Sequence, residues 1–447
     1  MTVKRITGAV GVVLGLLAGL ITTSVTGEAT VSAGGAKGVT QRSERLAPGV
    51  RYVVIRDRSG PFRIRVVKAK LSSPTTFDTV LASDRLPGFE TTSSMAQRTD
   101  ALVAINGDYA RPSGRPVFTF ASDGNIAQTP LKWGRNFAVD QSETLTYVGH
   151  PRVTGWATET DSSATYPIKR VNQGPPEVSE VARFTPAGGS LERAPEDACL
   201  ARLFPQERAR FASAGGGVEA NHIVDRVKCG GRRLRPQGGS ILAAPLDGDH
   251  ALGLAALVPG ESMTLGWSLG WPQVLDTIGG NPTLVADGKV IDNNVSGSGA
   301  FFSRHPRTGV GTTPDGKVLL VVVDGRQRGY SVGMTLEEFA DLFVSLGADH
   351  ALNLDGGGST TMVIDGRIVN RPSETDRAER PVSSALVLLR AGDTGEADFQ
   401  APPPPAPKSA AVWEDISTDP ASTGGLYRDF PSRFPGEIAG RYAPENR

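Results

Sequence analysis

The chain is short of cysteine, histidine, lysine and net charge. Its 447 residues include two cysteines and five histidines. Two cysteines cannot make a four-ligand structural zinc site unaided and no nearby His pair completes one, and no His-Glu-x-x-His zinc helix is present. Lys+Arg and Asp+Glu both number 47, leaving no formal net charge. A balanced chain exerts no overall pull on nucleic acid or an anionic membrane, so nucleic acid is not expected as a partner. Past Ile21 no apolar run is long enough to span a bilayer. Lysine is scarce too, with ten against 37 arginines. Anion recognition therefore falls to planar, fork-shaped donors of the kind that suit phosphate.

A hydrophobic content of 39% with 21% charged residues fits folded domains rather than general disorder. The N-terminus has three parts: Lys4 and Arg5, an apolar run from Ile6 to Ile21, and the small-residue site Val31-Ser32-Ala33. This reads as a signal peptide over 1–33, cut after Ala33; the alternative is an uncleaved anchor, the one route to a membrane. The remainder is expected to be secreted or held in the cell envelope. In that oxidising setting Cys199 and Cys229 read as a disulfide, with two free thiols as the alternative. A closed loop of about 30 residues is worth roughly 3–4 kcal/mol in the loop-entropy picture.

Residues 34–48 are Gly-, Ser- and Arg-rich and are expected to be disordered. Hairpin signals follow, with turns at Asp57–Pro61 and Ser122–Asn125, and an apolar strand from Ala101 runs into Asn106-Gly107-Asp108-Tyr109. From about 150 to 235 the apolar runs shorten while Pro, Gly and Arg increase, predicting a loop-rich insertion stapled by the cysteines. Three Asp-Gly pairs, at 287–288, 315–316 and 365–366, then sit between apolar runs as hairpin turns. One amphipathic helix is expected: Thr335 and Glu338 form a capping box, Leu336, Phe339, Leu342, Phe343 and Leu346 a stripe, and Gly347 a stop. Hairpins with few helices predict an α+β fold of antiparallel and mixed sheets. A main domain over 49–392 is followed by a Pro-rich linker and polar tail over 393–447.

The chemistry concentrates where strands end. Asn353-Leu-Asp355-Gly-Gly-Gly358-Ser359-Thr360 takes a strand into a carboxylate, three glycines and hydroxyls. Such glycines let backbone N–H groups cradle an anion; the plainer reading is a tight turn with an Asp cap. The string is neither a nucleotide-binding P-loop nor a serine-hydrolase elbow. Arg304-His305-Pro306-Arg307, Asp324-Gly325-Arg326 and Asn106-Gly107-Asp108 lie at other strand ends, as in a site assembled along one rim of a sheet.

In order, the segments Ala104–Tyr109, Thr277–Pro282, Arg304–Thr308, Val323–Arg326 and Asn353–Met362 resemble the phosphodiester glycosidase family, across about residues 95–392. The departures are Ala110 where an aromatic usually follows Tyr109, and a stretch at 150–235 without a counterpart. The resemblance implies hydrolysis of sugar-1-phosphodiester bonds, in cell-envelope glycopolymers or exopolysaccharide. Asp355, Asp324 and Asp108 are the candidate catalytic carboxylates. Arg304, Arg307, Arg326 and the Gly356, Gly357, Gly358, Ser359 nest are candidates for phosphate; Asn106 and Thr360 are candidates for hydroxyls. No cofactor is required, although a divalent cation at Asp355 and Asp324 fits the residue types. The other readings are a noncatalytic sugar-phosphate binder on the same fold and a metal-dependent phosphodiesterase.

Overall fold

The computed structural model describes residues 30–32, 38–71, 74–131, 134–142, 144–188, 197–212, 216–231 and 234–390. Most of the expected signal peptide (1–29) and the expected tail (393–447) lie outside them. The fold is mainly β, 47% strand and 13% helix, rather than the expected α+β.

A nine-stranded antiparallel sheet and a five-stranded one form the centre. Lys317–Val323 shows why. Val318, Leu320 and Val322 face one core, while Leu319, Val321 and Val323 face another. Successive side chains point to opposite faces, so a strand covered on both sides reads as one continuous apolar run. The first core lies between the sheets, where Val103, Ile105, Leu386 and Leu388 of the smaller sheet meet it. The second is closed by the expected helix, Leu336–Ser345, with its capping box in place. Its Phe339 and Phe343 come so close that a Cβ at Gly309 or Gly311 would lie 2.9 or 2.8 Å from their rings. The outer face of the smaller sheet is covered by Thr92–Arg98 through Met95 and Ala96. The layers are thus helix, sheet, sheet, helix.

The Asp-Gly turns close hairpins as expected, and Val50–Asp57 pairs with Phe62–Lys70. Two further expectations are corrected. Within 34–48, Val39–Ala47 is a strand bonded to Val50–Asp57 rather than disordered chain. No residue of it is buried, so its polar composition reflects an exposed strand. Within 150–235 the chain is not loop-rich. Its strands and those of 240–268 form an eight-stranded sheet that closes into a barrel, because Ala198–Pro205 pairs with both Ser240–Pro245 and Val218–Cys229. Cys199 and Cys229 face each other across that closing pair and are joined as a disulfide.

A further five-stranded sheet is the wall between barrel and sandwich. Alternation again decides the faces: Ala138 joins the barrel core, while Phe137 and Val139 join the sandwich core.

Candidate active site

The glycine-rich segment is the crossover between the two central sheets. The chain leaves His350–Asn353 in the larger sheet, turns through Asp355–Thr361, and enters Met362–Ile364 in the smaller one. Antiparallel pairing puts the start of Arg307–Thr312 and the end of Lys317–Val323 at the same rim, since Gly309 lies opposite Asn353 and Arg307 opposite Val323. In the other sheet Asn106 ends Val103–Asn106, beside Ala385.

Asn106 binds the crossover from beneath and is fully buried. Its Nδ2 donates to the Asp355 carbonyl at 2.6 Å. Its Oδ1 accepts from the Thr308 hydroxyl at 2.9 Å and from the Thr361 N–H at 3.1 Å. Thr308 also reaches Thr360 at 3.3 Å. Asn106 and Thr360 thus face the protein interior, under the turn.

Asp355 is half-buried, and its N–H donates to the Gly107 carbonyl at 3.0 Å. Burial pushes its carboxyl up to about 6, against the opposing pull of the Ser359 hydroxyl, Arg380, the Gly356 N–H and Arg326. Asp108 is deeper. Its Oδ2 accepts from the Phe118 N–H at 2.8 Å, while Oδ1 is buried without a hydrogen-bond partner. Burial holds this carboxyl well above the ordinary range, and the charge of Asp355 adds to the effect. Two neighbouring carboxyls therefore differ in environment, one half-buried in the turn and one fully buried behind it.

Asp324 is buried and fully engaged. Oδ1 accepts from the Asn370 side chain at 3.2 Å and the Arg371 N–H at 2.9 Å. Oδ2 accepts from the Tyr330 hydroxyl at 3.3 Å and meets Arg65 at 3.4 Å. Burial raises its pKa all the same. Asn370 passes the connection on to the Thr360 carbonyl at 3.0 Å, so Asp324 braces the far end of the turn.

The arginines separate. Arg326, exposed and at positive φ, lies over Gly357 and donates its Nε to His305 Nδ1 at 3.2 Å. His305 also meets the Ala300 carbonyl through Nε2 at 2.8 Å, the pattern of a neutral ring protonated on Nε2. Arg307 is buried and gives its guanidinium to the carbonyls of Met334, Phe301 and Ser303 at 2.9, 2.9 and 2.7 Å. Arg304 is not brought to the turn. Its fork engages Glu338, which caps the helix, and its guanidinium sits over Phe62.

Arg380 and Glu374, which the sequence reading did not single out, lie against Gly358 and are ion-paired. Arg380 stands four residues before Ser384–Arg390. The strand-end pattern that marked Arg304 and Arg326 applied to it equally. Among the described residues, Asp78, Asp123 and Asp276 form a group of three carboxylates with ligand-like spacing, away from the turn.

The arrangement is thus a carboxylate on a glycine-rich crossover, flanked by Arg326 and Arg380 and backed by Asp108, whose carboxyl is held above its ordinary range by burial. Residues 216–389 match the phosphodiester glycosidase family model, and this stretch belongs to that family. Over 96 residues the chain is 35% identical to the SPbeta prophage-derived protein YomE of Bacillus subtilis, covering 22% of this chain and 14% of that one. Over 68 residues it is 38% identical to the N-acetylglucosamine-1-phosphodiester alpha-N-acetylglucosaminidase of Bos taurus, covering 15% and 12%. The matches thus span less than a sixth of these relatives. A crystal structure of a hypothetical protein from Synechocystis shares the fold, with TM-score 0.57 at 20% identity, covering 79% of this chain and 62% of the other.

Proposed function

We propose that this protein is an exported hydrolase that cleaves the bond between a sugar's anomeric carbon and a phosphodiester oxygen. The observation that carries the reading is Asp355, half-buried in a turn where Arg326 and Arg380 both act on its carboxylate. The family match over 216–389 supports the reaction class. The bovine relative's name specifies a sugar-1-phosphodiester substrate; for this chain we infer the same bond type, in envelope glycopolymers or exopolysaccharide. The disulfide supports a place outside the cytoplasm.

In this reading the C1–O bond breaks heterolytically and its electron pair leaves on the phosphate oxygen. The leaving group is a weakly basic phosphate, so arginine forks and turn N–H groups serve it better than a strong acid would. The sugar passes through an oxocarbenium-like state, which the ionised Asp355 faces. Water supplies the new hydroxyl at C1, and a carboxylate takes its proton. Asp355 suits that role above about pH 6, its titration point. Burial raises the Asp108 carboxyl above its ordinary range, which disfavours a second full charge beside Asp355. Asp324, Asn106, Thr360 and Arg307 hold the turn and the strand ends in place. Arginines and backbone dipoles supply the electrostatics, so the reading assigns no cofactor.

Hydrolysis of a panel of sugar phosphodiesters in heavy-oxygen water tests this. The label is expected in the sugar. Label in the phosphate would establish P–O cleavage instead, and binding without turnover across the panel would establish a noncatalytic sugar-phosphate receptor.

A further inference from the structure

The crossover turn is gripped from two sides, and one grip already holds an anion. A Cβ at Gly357 would lie 2.9 Å from Nη2 of Arg326, and one at Gly358 would collide with Nη2 of Arg380 and Oε1 of Glu374. Without side chains there, two cationic groups lie directly on the turn beside Asp355. Arg380 is engaged by the Glu374 carboxylate, with the two side chains 26% and 35% exposed. The pair therefore borders solvent, within reach of an incoming anion. The neighbouring Ser373 hydroxyl donates to the Gly357 carbonyl at 3.4 Å, so the segment bearing Glu374 is laid along the same turn.

We propose that Glu374 is an internal competitor for substrate: its carboxylate occupies the Arg380 fork that receives the phosphodiester, and it leaves when the phosphodiester binds. This rests on the hydrolase reading for the identity of the anion. Carboxylates and phosphodiesters both present paired oxygens that match a guanidinium fork, so one can replace the other. The exchange adds selectivity. A neutral glycoside offers nothing for Arg380 in return for Glu374 and leaves the fork closed, whereas a phosphodiester restores an ion pair as it breaks one.

The test uses the full chain as wild type, Glu374→Gln and Arg380→Gln, titrated with inorganic phosphate by calorimetry. Far-ultraviolet circular dichroism checks the fold of each. Removing a partly exposed competing charge is expected to tighten phosphate binding about three- to ten-fold in Glu374→Gln. The KM for a cleaved sugar phosphodiester falls by a similar factor. Arg380→Gln weakens phosphate binding by roughly ten-fold or more. Phosphate binding in Glu374→Gln that is unchanged or weaker overturns the proposal. Should Glu374→Gln fail to fold, Glu374→Asp keeps the charge but withdraws it from the fork. A smaller tightening is then expected, and none overturns the proposal. The two readings fail separately. If phosphate binding tightens but no sugar phosphodiester is cleaved, the competitor stands and the hydrolase falls. If label enters the sugar and phosphate binding is indifferent to residue 374, the competitor falls and the hydrolase stands.

Discussion

Replacing Asn106 should unfasten the candidate site and destabilise the protein together, because one buried amide holds both. Asn106→Ala removes three hydrogen bonds, of 2.6, 2.9 and 3.1 Å. The Thr308 hydroxyl keeps Thr360 as an alternative. The Asp355 carbonyl and the buried Thr361 N–H lose the amide that bound them. A buried group left unsatisfied costs about 1–3 kcal/mol, and two of them with a small cavity come to roughly 3–5 kcal/mol. Asn106→Asp separates the hydrogen bonding from the shape. It keeps the acceptor for Thr308 and Thr361 but turns the donor toward the Asp355 carbonyl into an oxygen. A proton restores that donor, so the new carboxyl titrates higher in the folded chain than its unfolded value of about 3.9. A raised carboxyl pKa means stability that is present at low pH and lost as pH rises through the folded value. Guanidinium melts followed by circular dichroism, in steps from pH 4.5 to 8, should show Asn106→Asp near wild type in acid and falling behind it toward neutrality. Asn106→Ala should show a deficit that does not depend on pH in this way. A loss under about 1 kcal/mol for the alanine variant, or an aspartate variant whose deficit is flat with pH, would refute the keystone role.

Further outcomes follow from the same geometry. Asp355→Asn is expected to fold normally and to lose roughly 100- to 1000-fold in turnover of any cleaved sugar phosphodiester, since it loses charge but little shape; wild-type turnover in a folded variant removes Asp355 from the chemistry. Wild-type activity should rise with pH through about 6, where Asp355 becomes ionised, and Arg380→Gln should move that limb upward, because a cation that favours the ionised form is gone. A pH–rate profile with no acidic limb, or one that Arg380→Gln shifts downward, contradicts this. Replacing Cys199 and Cys229 with serine opens a covalent link spanning a sequence separation of 30 and should cost about 3–4 kcal/mol in the loop-entropy picture; a thermal melt that does not move would show that the strand pairing alone holds the seam.

What could be read from the sequence depended on how each strand is covered. Val318–Val323 is buried on both faces and declares itself as an unbroken apolar run. Hairpins closed by Asp-Gly and the helix opened by Thr335 and Glu338 carry their instructions locally, so their positions are legible. Barrel strands have one face inward and alternate. Val218–Cys229 is buried at Val218, Ala220, His222 and Val224 and more exposed at the residues between, so a search for apolar runs passes over it. The candidate site was legible as a set of strand ends, and the sheets do bring Asn106, Asp108, Arg307, Asp324, Arg326 and Asp355 to one rim. Which arginine faces the turn was not legible. Arg304 and Arg307 share one short motif, yet Glu338 captures the first and three carbonyls the second. Glu338 and Met334 come from elsewhere in the chain, and Phe301 and Ser303 reach Arg307 only through the way the preceding loop folds back.

The barrel begins and ends at one place. Its first and last strands are hydrogen-bonded neighbours, with Thr154 opposite Ser268, and the Arg152 N–H reaches the Leu269 carbonyl at 2.8 Å. The whole stretch from 153 to 268 therefore hangs from the rest of the chain by two adjacent threads. A turn of a few residues joining Arg152 to Leu269 would restore continuity without stretching any strand. The uncovered wall would expose Ala121, Ile126, Ala138, Leu269 and Val274, with Tyr147, Trp271 and Leu275 beside them, so they would need polar replacements. Topologically the barrel is a pendant, so cutting it out at that one place is expected to leave the strand ends around Asp355 standing on the two central sheets.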